Sequence, residues 1–301
     1  MKLLCPVCQN VAGELAEVTE RGTPCAHCPF CFQKVDGIVR AIAPERRPFY
    51  DRFLTDYGTI RKAEGRGSNS REYYLALPYE DLTEKNSEQW RIRASTYRYF
   101  EKNVLQESSV DILDLGAGNG WMSYRLAQHG RRPVAVDIFA DPQDGLAAAR
   151  EYDLFPLVEA EFDRLPFAAG QFDLAVFNSS LHYSTDYHGT LGEARRCLKP
   201  SGSIVVLDSP LYKLREHGEM MRTERHVQFQ AQYGFASDSI ANLEYLYESQ
   251  LAELSRDLGL RWRMYEPWYG WNWLLRPWKA RLRGRRPPSR FCILVASFSN
   301  S

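Results

Sequence analysis

Between residues 111 and 208 the chain alternates short apolar runs with stretches of helical periodicity, a pattern that few architectures accept. Ile112-Leu-Asp-Leu-Gly116, Pro133-Val-Ala-Val-Asp137, Phe172-Asp-Leu-Ala-Val-Phe177 and Ser203-Ile-Val-Val-Leu-Asp208 read as strands. Trp121 to His129, Gly145 to Tyr152 and Leu191 to Leu198 read as the helices between them. Strands that are apolar at consecutive positions need cover on both faces, and intervening helices supply it. The expectation is an α/β fold built on a mainly parallel sheet.

The flanking segments differ in kind. Five of the seven cysteines (Cys5, Cys8, Cys25, Cys28, Cys31) fall in the first 31 residues. Residues 1–43 have too few large apolar side chains to fold without a cross-link or metal. In a reducing compartment such a cluster points to metal rather than disulfides. Residues 44–85 are expected to be a linker and lid, with Tyr50, Phe53, Tyr57, Tyr73, Tyr74 and Tyr79 giving an aromatic character. A helix is expected to begin near Ser87 as its N-cap, with a stripe of Trp90, Ala94, Tyr97, Glu101 and Leu105. Beyond the alternating region, a polar, aromatic insertion at about 209–242 contains Phe229, Tyr233 and Phe235. A helix from about Leu243 to Leu258, a strand near 261–266 and the apolar run Phe291 to Phe298 close the chain.

The chain carries 38 Lys plus Arg and 38 Asp plus Glu, so no whole-chain charge argues for nucleic acid or an anionic membrane. No apolar run approaches the roughly 20 residues of a membrane helix, and no signal-peptide stretch opens the sequence. A cytoplasmic protein is expected.

Asp114-Leu-Gly-Ala-Gly-Asn-Gly120 sits where a strand turns into a helix. Glycines there allow positive φ and close ligand approach, and the free N–H groups of the helix start can receive an anion. A dinucleotide fingerprint wants its third glycine one place later, where Trp121 stands, so the loop suits a different ligand. Asp137 closes the second strand 19 positions after Gly118, placed to accept from two ribose hydroxyls.

The segment from Val110 to Trp121 resembles the first motif of class I S-adenosylmethionine-dependent methyltransferases. So, in order, do Val134-Ala-Val-Asp137, Arg164-Leu-Pro-Phe167 with Phe172-Asp-Leu174, Asn178-Ser-Ser-Leu-His-Tyr183 and Arg196-Cys-Leu-Lys-Pro-Ser-Gly202. The Leu-Pro-Phe and Leu-Lys-Pro-x-Gly elements are similar to those of the branch containing ubiquinone and menaquinone C-methyltransferases. The resemblance implies a Rossmann-like, seven-stranded sheet, a methyltransferase domain over 86–301, and S-adenosylmethionine as cofactor. It implies that Gly116 and Gly118 pass beneath the methionine part and that Asp114 orients the loop and the cofactor's amino group. It further implies that Asp137 holds the ribose diol, that Glu161 and Phe162 flank the adenine, and that Asn178 lies beside the sulfonium methyl.

Methyl transfer from a sulfonium needs mostly proximity and alignment, with a general base only where the acceptor has a proton to lose. His182 and Tyr183, after the fourth strand, are the candidate catalytic residues, His182 as base or as a group packed on the cofactor. Cys5-Pro-Val-Cys8 with Cys28-Pro-Phe-Cys31 repeats one Cys-Pro-x-Cys form and fits a zinc ribbon with a structural Zn2+ ion; Cys25 offers an overlapping second knuckle. This head resembles the ribbon preceding several bacterial methyltransferases, including ribosomal-RNA guanine N1-methyltransferases. From Arg261 to Arg290 nine Arg or Lys face the single Glu266, interleaved with five Trp. That basic aromatic insertion, at about 267–290, suits a half-buried insert, an interfacial helix or lid over a greasy substrate, or nucleic-acid stacking. Charge balance and aromatic lids favour a small-molecule or lipid-like acceptor over RNA.

Overall fold

The computed structural model describes residues 1–298. Its first part runs β1 (Lys2–Leu4), β2 (Val11–Glu14), β3 (Thr23–Pro24), β4 (Cys31–Val35), β5 (Ile38–Arg40), α1 (Arg47–Ala63), α2 (Arg71–Ala76) and α3 (Ser87–Asn103). The alternating part follows as β6 (Asp111–Leu115), α4 (Trp121–Gln128), β7 (Arg132–Asp137), β8 (Leu157–Glu159), β9 (Phe172–Asn178), α5 (Tyr187–Cys197) and β10 (Leu198–Leu207). The last part is β11 (Pro210–Tyr212), α6 (Arg215–Tyr233), β12 (Leu246–Tyr247), α7 (Glu248–Leu258) and β13 (Leu260–Tyr265). It ends with α8 (Trp271–Leu274), α9 (Arg276–Leu282), β14 (Arg290–Phe291) and β15 (Ile293–Phe298).

Among the described residues the main sheet has ten strands in the order β13-β15-β10-β9-β6-β7-β8-β5-β4-β3. The seven expected strands are those from β13 to β8; β6 to β10 are parallel and β15 is inserted antiparallel between β10 and β13. The strand order reverses beside β6, which opens a crevice at the carboxyl ends of β6 and β9. Trp90 and Tyr97 of α3 pack edge-on against Trp121, the first residue of α4, and so fix α3 beside the glycine loop. At the opposite end of the strands Lys199 bridges Asp111 (3.0 Å) and Asp173 (2.9 Å), while Asp173 accepts from the amides of Val110 and Asp111. The Phe-Asp-Leu and Leu-Lys-Pro elements therefore lock strand register, far from the crevice.

The three remaining strands come from the N-terminal ribbon. β5 pairs in parallel with β8, and Ile38 and Val39 are both buried, as in an interior strand. β1 is tied to the loop before β9 by Leu4 N–H to Pro166 (3.1 Å) and Ala168 N–H to Lys2 (3.0 Å). Leu3, Cys5, Phe30 and Phe32 share one core cluster with Leu165 and Phe167. The ribbon is thus part of the sheet and core, and the boundary at residue 43 is a boundary of sequence character only.

Other expectations shift locally. The helix expected from Gly145 is a 3-10 turn, Leu146–Glu151. Asn86 takes the cap position ahead of Ser87. The helix expected from Leu243 starts at Glu248, because Leu246 and Tyr247 pair with Leu211 and Tyr212. Tyr73 and Tyr74 are buried core residues rather than lid residues.

Candidate active site

A cleft of about 370 Å³ opens at the carboxyl ends of β6, β7 and β9. Asp114, Gly116, Gly118, Asp137, Glu161, Phe162, Asn178, His182 and Tyr183 all line it. They come from the ends of parallel strands and the turns that follow, where the topology gathers residues distant in sequence.

At the floor, Gly116 adopts φ +75°, and a Cβ there would lie 2.2 Å from the Ser180 side chain, so only glycine fits. Asp137 accepts from the amides of Gly118 (2.7 Å) and Phe139 (2.8 Å), holding the loop against the end of β7. Asp114 accepts from the Ser123 hydroxyl (2.7 Å) through one carboxylate oxygen. Its other oxygen, like the Asn178 side-chain oxygen, is buried without a hydrogen-bond partner among the described residues. Unpaired buried acceptors are costly. Two in one cleft fit a cationic, multiply donating ligand, and the methionyl ammonium of S-adenosylmethionine is such a group.

Burial pushes the Asp114 carboxyl up to about 7. A cation bound beside it favours the ionised form, so ligand binding must drive off a proton below that pH. Affinity for S-adenosylhomocysteine is therefore expected to rise with pH between about 5.5 and about 7.5, by up to about tenfold per unit at the acid end. Calorimetric titration across that range checks it, and Asp114→Asn is expected to flatten the profile.

α1 covers the cleft. Its inward stripe, Tyr50, Phe53, Tyr57, Ile60 and Arg61, keeps helical spacing and lines the cavity. Tyr57 meets Phe139 edge-on (5.2 Å) and Tyr183 edge-on (5.7 Å), and stacks on Phe53 (5.6 Å). Glu161, expected at the adenine, lines the cleft and also engages α1. It accepts from Arg46 Nε (3.0 Å) and from the Tyr50 hydroxyl (2.8 Å), latching the start of α1 over the cleft. Farther along, Arg61 pairs with Asp144. Phe162 both packs edge-on against Phe177 (5.6 Å) and faces the cavity.

His182 is less suited to base catalysis than the sequence suggested. Burial pulls its pKa down to about 3, so its imidazole holds a proton weakly at neutral pH. Its Nδ1 faces the Ser209 hydroxyl at 3.2 Å, and its carbonyl accepts from Glu244 N–H (3.1 Å). A carboxylate that the sequence reading missed lies nearby. Asp208 follows β10, lines the cleft, and accepts from Thr96 Oγ1 at 2.6 Å, while burial raises its pKa. Asp208 (φ +48°) and Ser179 (φ +57°) are strained neighbours, joined by Ser179 Oγ to the Asp208 carbonyl (3.1 Å). Arg93 and Arg225 also reach the cavity. No motif marks these residues. For the lid, the sequence carried only the aromatic character of residues 44–85 and 209–242.

In the ribbon, four thiols converge: Cys5, Cys8, Cys25 and Cys28, all within 4.8 Å of one another. The Cys5–Cys28 and Cys8–Cys25 sulfurs lie 3.5 and 3.6 Å apart. A tetrahedral ion with Zn–S bonds of about 2.3 Å would space its sulfurs by about 3.8 Å. The set therefore fits a metal, with Cys25 in the place expected for Cys31. Strand alternation is the reason. On β4, Phe32 points into the core with no exposure, so its neighbour Cys31 points outward.

Residues 113–206 match the family model described as a methyltransferase domain. A demethylmenaquinone methyltransferase of Mycolicibacterium vanbaalenii is 34% identical over 121 residues, 39% of this chain and 51% of that protein. A malonyl-[acyl-carrier protein] O-methyltransferase of Buchnera aphidicola is 28% identical over 115 residues, 38% of this chain and 46% of that protein. The chain thus spans about half the length of the curated relatives it matches. Among solved structures, a chain from the complex between the Haloferax volcanii Trm112 methyltransferase activator and a methyltransferase superposes with a TM-score of 0.50 at 18% identity. That superposition covers 77% of this chain and all of the other. The fold is that of class I S-adenosylmethionine-dependent methyltransferases, and the chain carries a methyltransferase domain.

Proposed function

We propose that this protein is an S-adenosylmethionine-dependent methyltransferase acting on a small-molecule or lipid-like acceptor. The observation that carries the cofactor assignment is the pairing of two orphaned acceptors, on Asp114 and Asn178, with the Asp137-held glycine loop in one cleft. When bound, the cofactor supplies a methyl group on a sulfonium, already activated for in-line displacement. The chain's work is to bind, align and exclude water. Asp137 would hold the ribose diol, Asp114 and Asn178 the ammonium, and Phe162 and Phe139 would flank the adenine. α1 and α6 would close over the acceptor. Where the acceptor has a proton to lose, Asp208 is our candidate to take it, with His182 and Tyr183 shaping the wall. Asp208→Asn is expected to cut transfer by on the order of 100-fold, with S-adenosylhomocysteine affinity within about twofold of the parent. The reading includes one structural zinc ion held by Cys5, Cys8, Cys25 and Cys28, a four-thiolate set that leaves no open position.

The acceptor class is supported by the enclosure of the cleft beneath aromatic side chains and by the zero net charge of the chain. Its relatives, demethylmenaquinone methyltransferases among them, point the same way. Incubation with methyl-labelled cofactor and fractionated lysate tests it. Label is expected in the small-molecule or lipid fraction. Label in RNA alone would overturn the acceptor assignment.

A further inference from the structure

Between β13 and β14 the chain presents an amphipathic element turned inside out. α8 and α9 are nearly continuous, since Leu275 N–H bonds to Trp271 (3.0 Å) and Lys279 N–H to Leu275 (3.0 Å). Trp271, Leu274, Leu275, Trp278 and Leu282 fall at i, i+3, i+4, i+7 and i+11, one stripe of the helical surface. Burying that stripe against the sheet would be the ordinary outcome. Instead these five side chains, with Trp268, are between 43% and 85% exposed. The inward contacts come from the other side. Trp273 packs on Tyr269 (5.0 Å) and Phe291 (5.3 Å), and the Arg276 guanidinium lies over the Trp273 ring at 3.7 Å.

Arg276 aside, the cations of the same segment divide in two. Arg286 and Arg290 are held by Glu224, Glu248 and Glu266. Lys279, Arg281, Arg283 and Arg285 are exposed and have no acidic partner within 4.0 Å among the described residues. The sequence from Pro267 through Arg290 contains no acidic residue, so nothing within the segment itself offsets these four charges.

From these observations we infer that the α8–α9 face docks on an anionic lipid bilayer, lying in its interface with Trp and Leu inserted and the four free cations on headgroups. Exposed apolar stripes rimmed by Lys and Arg are suited to that surface. Leu274, Leu275 and Leu282 favour acyl chains over nucleic acid, because an aliphatic side chain gives a base nothing to stack on. The position also matters for the cleft. Phe291 touches Trp273 on one side and lines the cleft on the other, and Arg286 donates to Tyr212 and Glu224, tying the segment to α6. A docked molecule would hold the cleft close to the bilayer surface. The inference stands apart from the acceptor reading, since vesicle binding needs no methyl transfer.

Flotation of the full chain with phosphatidylcholine vesicles, with and without phosphatidylglycerol, tests it, together with the Trp emission maximum. Binding and a blue shift are expected with the anionic vesicles, weakening as salt rises. Lys279→Glu with Arg281→Glu is expected to weaken binding by on the order of fivefold or more per cation. Leu282→Asp, at the most exposed position, is expected to weaken it while leaving circular dichroism and S-adenosylhomocysteine affinity unchanged. Trp271→Ser with Trp278→Ser is expected to abolish the blue shift. Absence of binding to anionic vesicles, or undiminished binding by these variants, would overturn the inference. So would preferential binding of a structured RNA that the same variants abolish.

Discussion

Cys25→Ser is expected to abolish zinc binding by the ribbon, whereas Cys31→Ser is expected to bind one zinc ion per chain. The four sulfurs that converge include Cys25, and Cys31 lies on the solvent side of β4. Binding to a structural thiolate site is folding free energy for a segment with little core of its own. Here the loss would spread. β1 bonds to Pro166 and Ala168, and the ribbon's Phe30 and Phe32 share a core with Leu165 and Phe167, a few residues from Glu161 and Phe162. Removing the ion is therefore expected to lower Tm by roughly 5–8 °C, corresponding to about 3–5 kcal/mol, and to weaken cofactor binding as the cleft wall loosens. Metal analysis and thermal melts of the two variants decide the matter. Zinc retained by Cys25→Ser and lost by Cys31→Ser would reverse the ligand assignment.

Asp137→Ala is expected to weaken S-adenosylhomocysteine binding by about 100-fold or more. Its carboxylate accepts two backbone N–H bonds: the one from Gly118 ties down the loop on which a ligand would lie, and the one from Phe139 fixes the turn that follows β7. Hydrogen bonds to a charged group contribute about 1.5–3 kcal/mol each, and loss of the ribose contacts adds to that. Asp137→Asn keeps one acceptor oxygen and is expected to fall between. Combining Asp137→Ala with Gly118→Arg, which sets a long side chain at a φ of +54° in the loop, is expected to abolish binding. Calorimetry reads both. Unchanged affinity in the double variant would sink the cofactor assignment.

The sheet was legible in the sequence because consecutive apolar residues and helical spacing are local signals, and β6, β7, β9 and β10 stand close to where those signals put them. The glycine turn and Asp137 were legible for the same reason: a sharp strand-to-helix turn restricts its residues by backbone geometry alone. What local signals do not carry is pairing between distant segments. Glu161 is bound by Arg46 and Tyr50, more than a hundred positions away, and Asp208 by Thr96 across a similar span. Neither charge pattern nor periodicity encodes which carboxylate meets which donor.

The choice between Cys25 and Cys31 has the same character. Two overlapping C-x-x-C spacings are equivalent along the chain, and the difference arises only when the pairing of β3 with β4 turns Phe32 inward and Cys31 out. His182 shows the converse for chemistry. Its residue type suits a base in water, but burial in the folded chain pulls its pKa far below neutrality. Sequence alone determined the central strands, the turn and most of the residues gathered at the strand ends, Asp208 excepted. Tertiary structure decided their protonation, their partners and the joining of the ribbon to the sheet, because those depend on desolvation and on contacts that exist only once the chain has closed on itself.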